Sequence, residues 1–230
     1  MLFDFSPIIL SLKVAVTATM IVVCFCVPIA GFMAKRKFWG KDLAESLITL
    51  PLVLPPSVVG FFLLYLFGKN GPLGKFLEYY FHCKVVFSLS GAVIAAAVVS
   101  FPLMYQALKA ALESIDKNLE KAARTLGAGE LKIFFTITFP LARNGFIAGF
   151  VLSFARSLGE FGATLMIAGN IPGRTQTMPL AIYFASEAGE TSKASVLVII
   201  MTTFSFLVIY SLNLWRRKTG RNLNRGDNQC

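Results

Sequence analysis

Five long apolar runs, separated by short clusters of charge, organise this chain of 230 residues. Residues 8–34 are interrupted only by Lys13, whose ammonium can reach the interface on its flexible stem. Residues 46–67, 88–108 and 194–215 carry no charge, and residues 144–168 contain Arg156 and Glu160. A bilayer core needs about 20 apolar residues in a helix, so each run predicts one membrane span. The pattern changes between the third and fourth runs. There Leu112, Ile115, Leu119, Ala122 and Leu126 recur at steps of three and four, with Glu113, Asp116, Lys117, Glu120, Lys121 and Arg124 between them. That is the stripe of an amphipathic helix outside the bilayer. Asp116 is placed to cap its start, and Gly127 to end it in the left-handed conformation. Gly129 separates it from a short stretch, Glu130 to Ile137, before Pro140 introduces the fourth span. After the fourth run, the turn Pro172-Gly173 leads to a short helix, Thr177 to Ala188. The fold class is therefore all-α and integral to the membrane: one domain over residues 1–230, with five spans and a connecting loop at 112–140.

Composition agrees with this. Of the residues, 56% are hydrophobic and 15% charged, and mean hydropathy is +0.68, against about 45–50% and about 25% in soluble domains. Disordered, collagen-like and disulfide-scaffold classes are excluded. A formal charge of +10 would suggest nucleic acid in a soluble protein. Here it marks loops. Fifteen Lys and Arg, among them Lys35, Arg36, Lys37, Lys41, Lys109, Lys117 and Lys218, fall on one side of the spans, and five fall on the other: Lys69, Lys75, Lys84, Arg174 and Lys193. The rule that positive loops stay inside puts the amino end outside and the carboxyl end in the cytoplasm. No basic region precedes the first run, so it is expected to remain as an anchor rather than a cleaved signal. Cys24, Cys26, Cys83 and Cys230 form no framework, and with one histidine, His82, no metal site is expected.

Two spans carry unusual chemistry. The second reads Leu50-Pro-Leu-Val-Leu-Pro-Pro-Ser-Val-Val-Gly60. Pro51, Pro55 and Pro56 each remove a backbone donor, and lipid cannot satisfy the carbonyls they free. Either this is a kinked packing helix, or Pro55, Pro56 and Ser57 line a water-filled route. In the fourth span Arg156 lies roughly 17 Å deep at the helical rise, and Glu160 is one turn on, on the same face. The pair is either a structural ion pair or the polar lining of an anion route, with Gly159 and Gly162 permitting close packing or a bend. The helix over 112–126 has three readings: it lies on lipid, it simply connects, or it docks into a groove of a soluble partner.

Ala122-Ala123-x3-Gly127-x9-Ile137-x-Phe139-Pro140 resembles the cytoplasmic loop shared by permease subunits of type I ABC importers: Glu-Ala-Ala, three residues, Gly, nine residues, Ile-x-Leu-Pro. All spacings match. Lys121 stands at the Glu position, with Glu120 one residue earlier, and Phe139 replaces Leu. In that family the loop is the coupling helix, seated in a cleft of a separate ATP-hydrolysing subunit. The resemblance thus implies an ATPase-coupling role for Glu120, Lys121, Ala122, Ala123, Gly127, Ile137 and Pro140. This chain has no Gly-x4-Gly-Lys-Ser/Thr, so it cannot cradle ATP phosphates itself, and ATP with Mg2+ would belong to the partner. Three stretches (50–60, 122–128 and 154–163) are similar to molybdate importer permeases, with sulfate/thiosulfate permeases close behind. The resemblance implies a multi-pass inner-membrane permease importing molybdate, or alternatively tungstate or sulfate, by alternating access. It would work as a homodimer with two ATP-binding subunits and an external binding protein, in contact with lipid and not with nucleic acid. Two other classes remain as rivals. An ion-coupled secondary transporter would need several intramembrane carboxylates, and only Glu160 qualifies. A membrane enzyme would need paired acid/base or metal groups, so no catalytic residue is expected.

Overall fold

The computed structural model describes residues 4–36 and 38–226, excepting the side chains of 212, 213 and 215–226. Lys37, one of the loop cations, and Cys230 lie outside the described residues. The described residues form helices α1 (Ser6–Lys35), α2 (Lys41–Val53), α3 (Pro56–Phe67), α4 (Pro72–Phe81), α5 (Leu89–Glu113), α6 (Lys117–Thr125), α7 (Glu130–Ile133), α8 (Phe139–Leu158), α9 (Gly162–Ala168), α10 (Met178–Glu187) and α11 (Thr191–Gly226). Residues 134–138 make one π turn joining α7 to α8. Four helical stretches are long and apolar enough to cross a membrane: 6–35, 89–113, 130–158 and 191–211. The pair α2 and α3, bent by 114°, makes a fifth if counted as one span.

The centre of the bundle is α5. Two-thirds of its most apolar stretch is buried (67%), against 11% for α11, which packs at the edge. Ser88 starts α5 by accepting the Gly91 N–H on its hydroxyl. Small residues allow its neighbours close: Ala92, Ala95, Ala96 and Val99 pack in one cluster with Val14, Ala18, Val22, Cys26 and Ala30 of α1. On the other side Gly145 of α8 lies so close to Ala111 and the Ala107 carbonyl that a side chain would not fit.

Proline and local capping set the breaks. Leu54, forced to extended backbone (ψ 142°) by the proline after it, ends α2, and Pro55-Pro56 start α3 in a new direction. Pro51 sits inside α2 without ending it. The fourth run departs from an uninterrupted helix over 144–168 at both ends. The helix begins earlier, at Glu130, and the π turn carries it past Pro140. The ring of Pro140 would meet the Thr136 carbonyl in a regular α-helix, and the widened turn, with the Phe139 N–H donating to the Phe134 carbonyl, relieves this. The later end of the run is a separate helix: α8 stops at Leu158, and α9 begins at Gly162. The amphipathic stripe is likewise divided. Leu112 ends in α5 and Ile115 in the linker, both against the core, whereas Leu119 of α6 and Leu126, the residue that follows it, are exposed. The short helix after Pro172-Gly173 is α10, and α11 continues beyond 215 to Gly226.

Candidate functional site

Two regions gather the residues singled out in the sequence. The first is α6 and its braces. Asp116 caps α6 by accepting the Asn118 N–H at 2.9 Å, and Gly127 follows the helix at φ +81°, the left-handed position that disfavours a side chain. Glu120 is the centre of this region. Its carboxylate takes the Lys35 ammonium from the end of α1 at 2.8 Å, the Thr138 hydroxyl from the π turn at 2.6 Å, and Arg124 at 3.4 Å. Burial works against its ionisation, but Lys35, Thr138 and Arg124 outweigh it and hold the carboxyl below its ordinary value. Arg124 also grips Glu130 through two nitrogens, at 2.6 and 3.2 Å, which ties α6 to α7. The short helix is therefore fastened to α1 and to the root of α8 on its polar side. Its apolar side is free: Leu119, Ala122 and Leu126 are exposed, with Leu126 at 87%.

Residues expected to work together here divide into two groups. Ala122, Gly127 and Lys121 face outward, Ala123 is half-buried, and Ile137 and Pro140 sit in and just after the π turn. Lys121, at the position the loop pattern gives to Glu, makes no ion pair among the described residues, and Glu120 supplies the carboxylate instead. In the sequence Lys35 counts only as one of the loop cations, and nothing marks Thr138. A threonine in an apolar run is ordinary, and only the fold brings it beneath α6. The same holds for Glu45 of α2 and Lys109 of α5, paired at 2.7 Å.

The second region is where the two broken spans meet. Gly162, the first residue of α9, lies against Pro56 and Ser57, and an added Cβ would be 3.1 Å from that of Pro56. One turn on, a Cβ at Gly60 would be 2.8 Å from the Ala163 Cα, so α3 and α9 touch backbone to backbone. Glu160 occupies the break between α8 and α9. One carboxylate oxygen accepts the Ala163 N–H at 2.8 Å, satisfying a donor at the start of α9, and the other pairs with Arg156 at 2.6 Å. The Glu160 side chain is 1% exposed and that of Arg156 28%. Gly159, which ends α8, makes only ordinary contacts, and its φ of −90° is open to any residue. Pro55, Pro56 and Ser57 are exposed on the single chain. The structure thus unites Pro56, Ser57, Gly162, Glu160 and Arg156 at one junction, some distance along the chain from α6.

Known proteins share both sequence and architecture with this chain. It is 48% identical over 198 residues to the molybdenum transport system permease protein ModB of Escherichia coli K12, covering 85% of this chain and 86% of that one. It is 36% identical over 194 residues to the sulfate transport system permease protein CysT of Salmonella typhimurium LT2, covering 84% and 70%. The structure of the MetNI methionine ABC transporter in an inward-facing conformation superposes with TM-score 0.71 at 12% identity, covering 94% of this chain and 95% of that one, which speaks for the fold alone. The model of binding-protein-dependent transport system inner membrane components matches residues 26–221. With five potential spans, one made of a bent pair, and that match over most of its length, the chain belongs to the family of binding-protein-dependent transport system inner membrane components.

Proposed function

We propose that this chain is the permease subunit of an ATP-driven importer for molybdate. It works as two facing copies with two ATP-hydrolysing subunits and an external molybdate-binding protein, and holds neither ATP nor Mg2+ itself. Molybdate is favoured over sulfate by the higher identity to the molybdenum permease and by its fuller coverage. The observation that carries the coupling role is the posture of α6: an exposed apolar face backed by a network of charged hydrogen bonds to two membrane helices. A helix presented in this way suits a groove on a soluble partner. Movement of that partner on ATP binding would pull α6. Through Glu120 the pull reaches Lys35 on α1 and Thr138 at the root of α8, so the membrane helices tilt together and change which side is open. Glu120, Lys121, Ala122, Ala123, Gly127, Ile137 and Pro140 form or support this coupling surface.

In the same reading the exposed turn at Pro55, Pro56 and Ser57 faces the second copy and lines the route between them. Gly162 seats that turn on α9, and the Arg156–Glu160 pair fixes the break beneath it. The test is uptake of radiolabelled molybdate by vesicles holding this chain with its ATPase and binding protein. Uptake should need ATP, persist with a protonophore at constant ATP, and survive excess sulfate. Loss of uptake on collapsing the proton gradient, with ATP intact, would point instead to an ion-coupled carrier.

A further inference from the structure

A cavity of about 540 Å3 opens between the end of α1, the start of α2, the end of α5 and α6, on the face that the charge distribution assigns to the cytoplasm. Six cations line it (Lys35, Arg36, Lys41, Lys117, Lys121 and Arg124) against two carboxylates, Glu113 and Glu120. The carboxylates are already committed, Glu113 to Lys109 at 3.6 Å and Glu120 to Lys35 and Arg124. Arg36, Lys117 and Lys121 have no carboxylate partner among the described residues. Lys117 and Lys121 are four residues apart on one helix face, a like-charge spacing that weakens a short helix unless an anion lies between the two.

The turn beside the cavity is aromatic. Trp39 is fully exposed, and Phe32 and Phe38 are exposed with their rings 5.7 Å apart. The Arg36 guanidinium lies 5.3 Å from the centre of the Phe32 ring. Tryptophan and phenylalanine at the end of a span, next to a basic cluster, belong to the boundary between acyl chains and headgroups. Cations meeting that boundary on the cytoplasmic side attract the phosphates of anionic lipid.

We propose that this cavity is a site for a phosphate-type oxyanion supplied by an anionic phospholipid headgroup of the inner leaflet, held by Arg36, Lys117 and Lys121, with its acyl chains along Phe32, Phe38 and Trp39. The lipid bridges α1 to α6 from outside, beside the Glu120 brace, so membrane composition sets how firmly α6 is held. This does not depend on which anion the protein transports.

The experiment uses the full chain in its complex with the ATPase, in nanodiscs, with Trp215→Phe in this chain and the tryptophans of the ATPase and the scaffold protein replaced by phenylalanine, so that Trp39 is the single tryptophan. Brominated phosphatidylglycerol should quench Trp39 more strongly than brominated phosphatidylcholine at equal mole fraction. In Lys117→Gln/Lys121→Gln the apparent affinity for phosphatidylglycerol should fall by roughly tenfold or more, and Arg36→Gln should lower it too. Lys132→Gln removes a charge from the same connection, outside the cavity lining, and should leave the preference unchanged. Equal quenching by the two lipids in the unmodified cavity overturns the proposal, as does a preference that survives the double change. Inorganic phosphate is titrated in nanodiscs of phosphatidylcholine alone; a saturable change in Trp39 emission there assigns the cavity to a free oxyanion and overturns the lipid source. If the double variant loses its ATPase in lipid-free detergent while keeping its lipid preference, the cations serve the partner instead and the proposal is wrong.

Discussion

Glu160 and Gly127 each do something that residue type alone does not reveal. Glu160 serves Arg156 with one oxygen and the backbone of α9 with the other, so the two duties can be separated by substitution. Arg156→Leu leaves a carboxylate unpaired at a site 1% exposed, and should destabilise by about 3 kcal/mol. Arg156→Leu with Glu160→Gln keeps an acceptor for the Ala163 N–H without the charge, and should recover most of that loss. Arg156→Leu with Glu160→Leu removes the acceptor as well and should recover less. Thermal unfolding of the three variants in detergent decides this, with uptake normalised to assembled complex as the second readout; no loss in Arg156→Leu would mean the pair carries no structural role. At Gly127 there is open space around the missing side chain, and only φ +81° forbids one. Gly127→Val should therefore cost about 1–3 kcal/mol locally, and Gly127→Asn much less, because asparagine tolerates the left-handed region. Copurification of the ATPase with each variant, at equal membrane insertion, is the measurement; normal copurification and uptake with valine would make the loop a mere connector.

At the scale of elements, α6 matters through what it is fastened to. A helix of nine residues is too short to hold itself in water, so its order comes from Glu120, Asp116 and Arg124. Glu120→Gln should leave the outward face, and hence ATPase association, largely intact while loosening the link to α1 and the π turn. The expected result is ATP hydrolysis with less molybdate moved per ATP, read from the two rates in the same vesicles. An unchanged ratio would remove Glu120 from the coupling route. The pH dependence has a definite sign. The folded carboxyl titrates below its ordinary value of 4.5, so its contribution is present above that value and lost as pH falls through the depressed one. The difference in unfolding temperature between the native chain and Glu120→Gln should be full at pH 7 and close as the pH is lowered below 4.5.

At the scale of the molecule, basic groups collect at one end. The Lys35–Glu120 and Lys109–Glu45 pairs join α1, α2, α5 and α6 there, in keeping with the fifteen-to-five asymmetry of Lys and Arg read from the chain. With the four native cysteines replaced, a cysteine at position 75 should react with an impermeant thiol reagent added to intact cells. One at position 218 should react only after the membrane is opened. Labelling of position 218 from outside would reverse the orientation.

The sequence by itself determined the class, the number of apolar runs, the cap at Asp116, the left-handed stop at Gly127 and the family resemblance. These are local properties: a bilayer selects apolar length, and capping depends on residues two or three positions apart. Only the tertiary structure decided where two of the runs break and what those breaks are for. Three prolines marked the second run as irregular but gave no direction; the 114° turn exists because α3 finds α9 to pack on. Nothing in Arg156-Ser-Leu-Gly-Glu160 announced that the glutamate caps a new helix rather than sitting within the old one. The stripe from Leu112 to Leu126 has perfect helical spacing, yet its first half is partly buried against the core and its second half exposed, since periodicity reports a shared face and not what covers it. Thr138 and Lys35 come beneath Glu120 from 18 and 85 residues away, and contacts at such separations are made by the packing of helices, which no local pattern records.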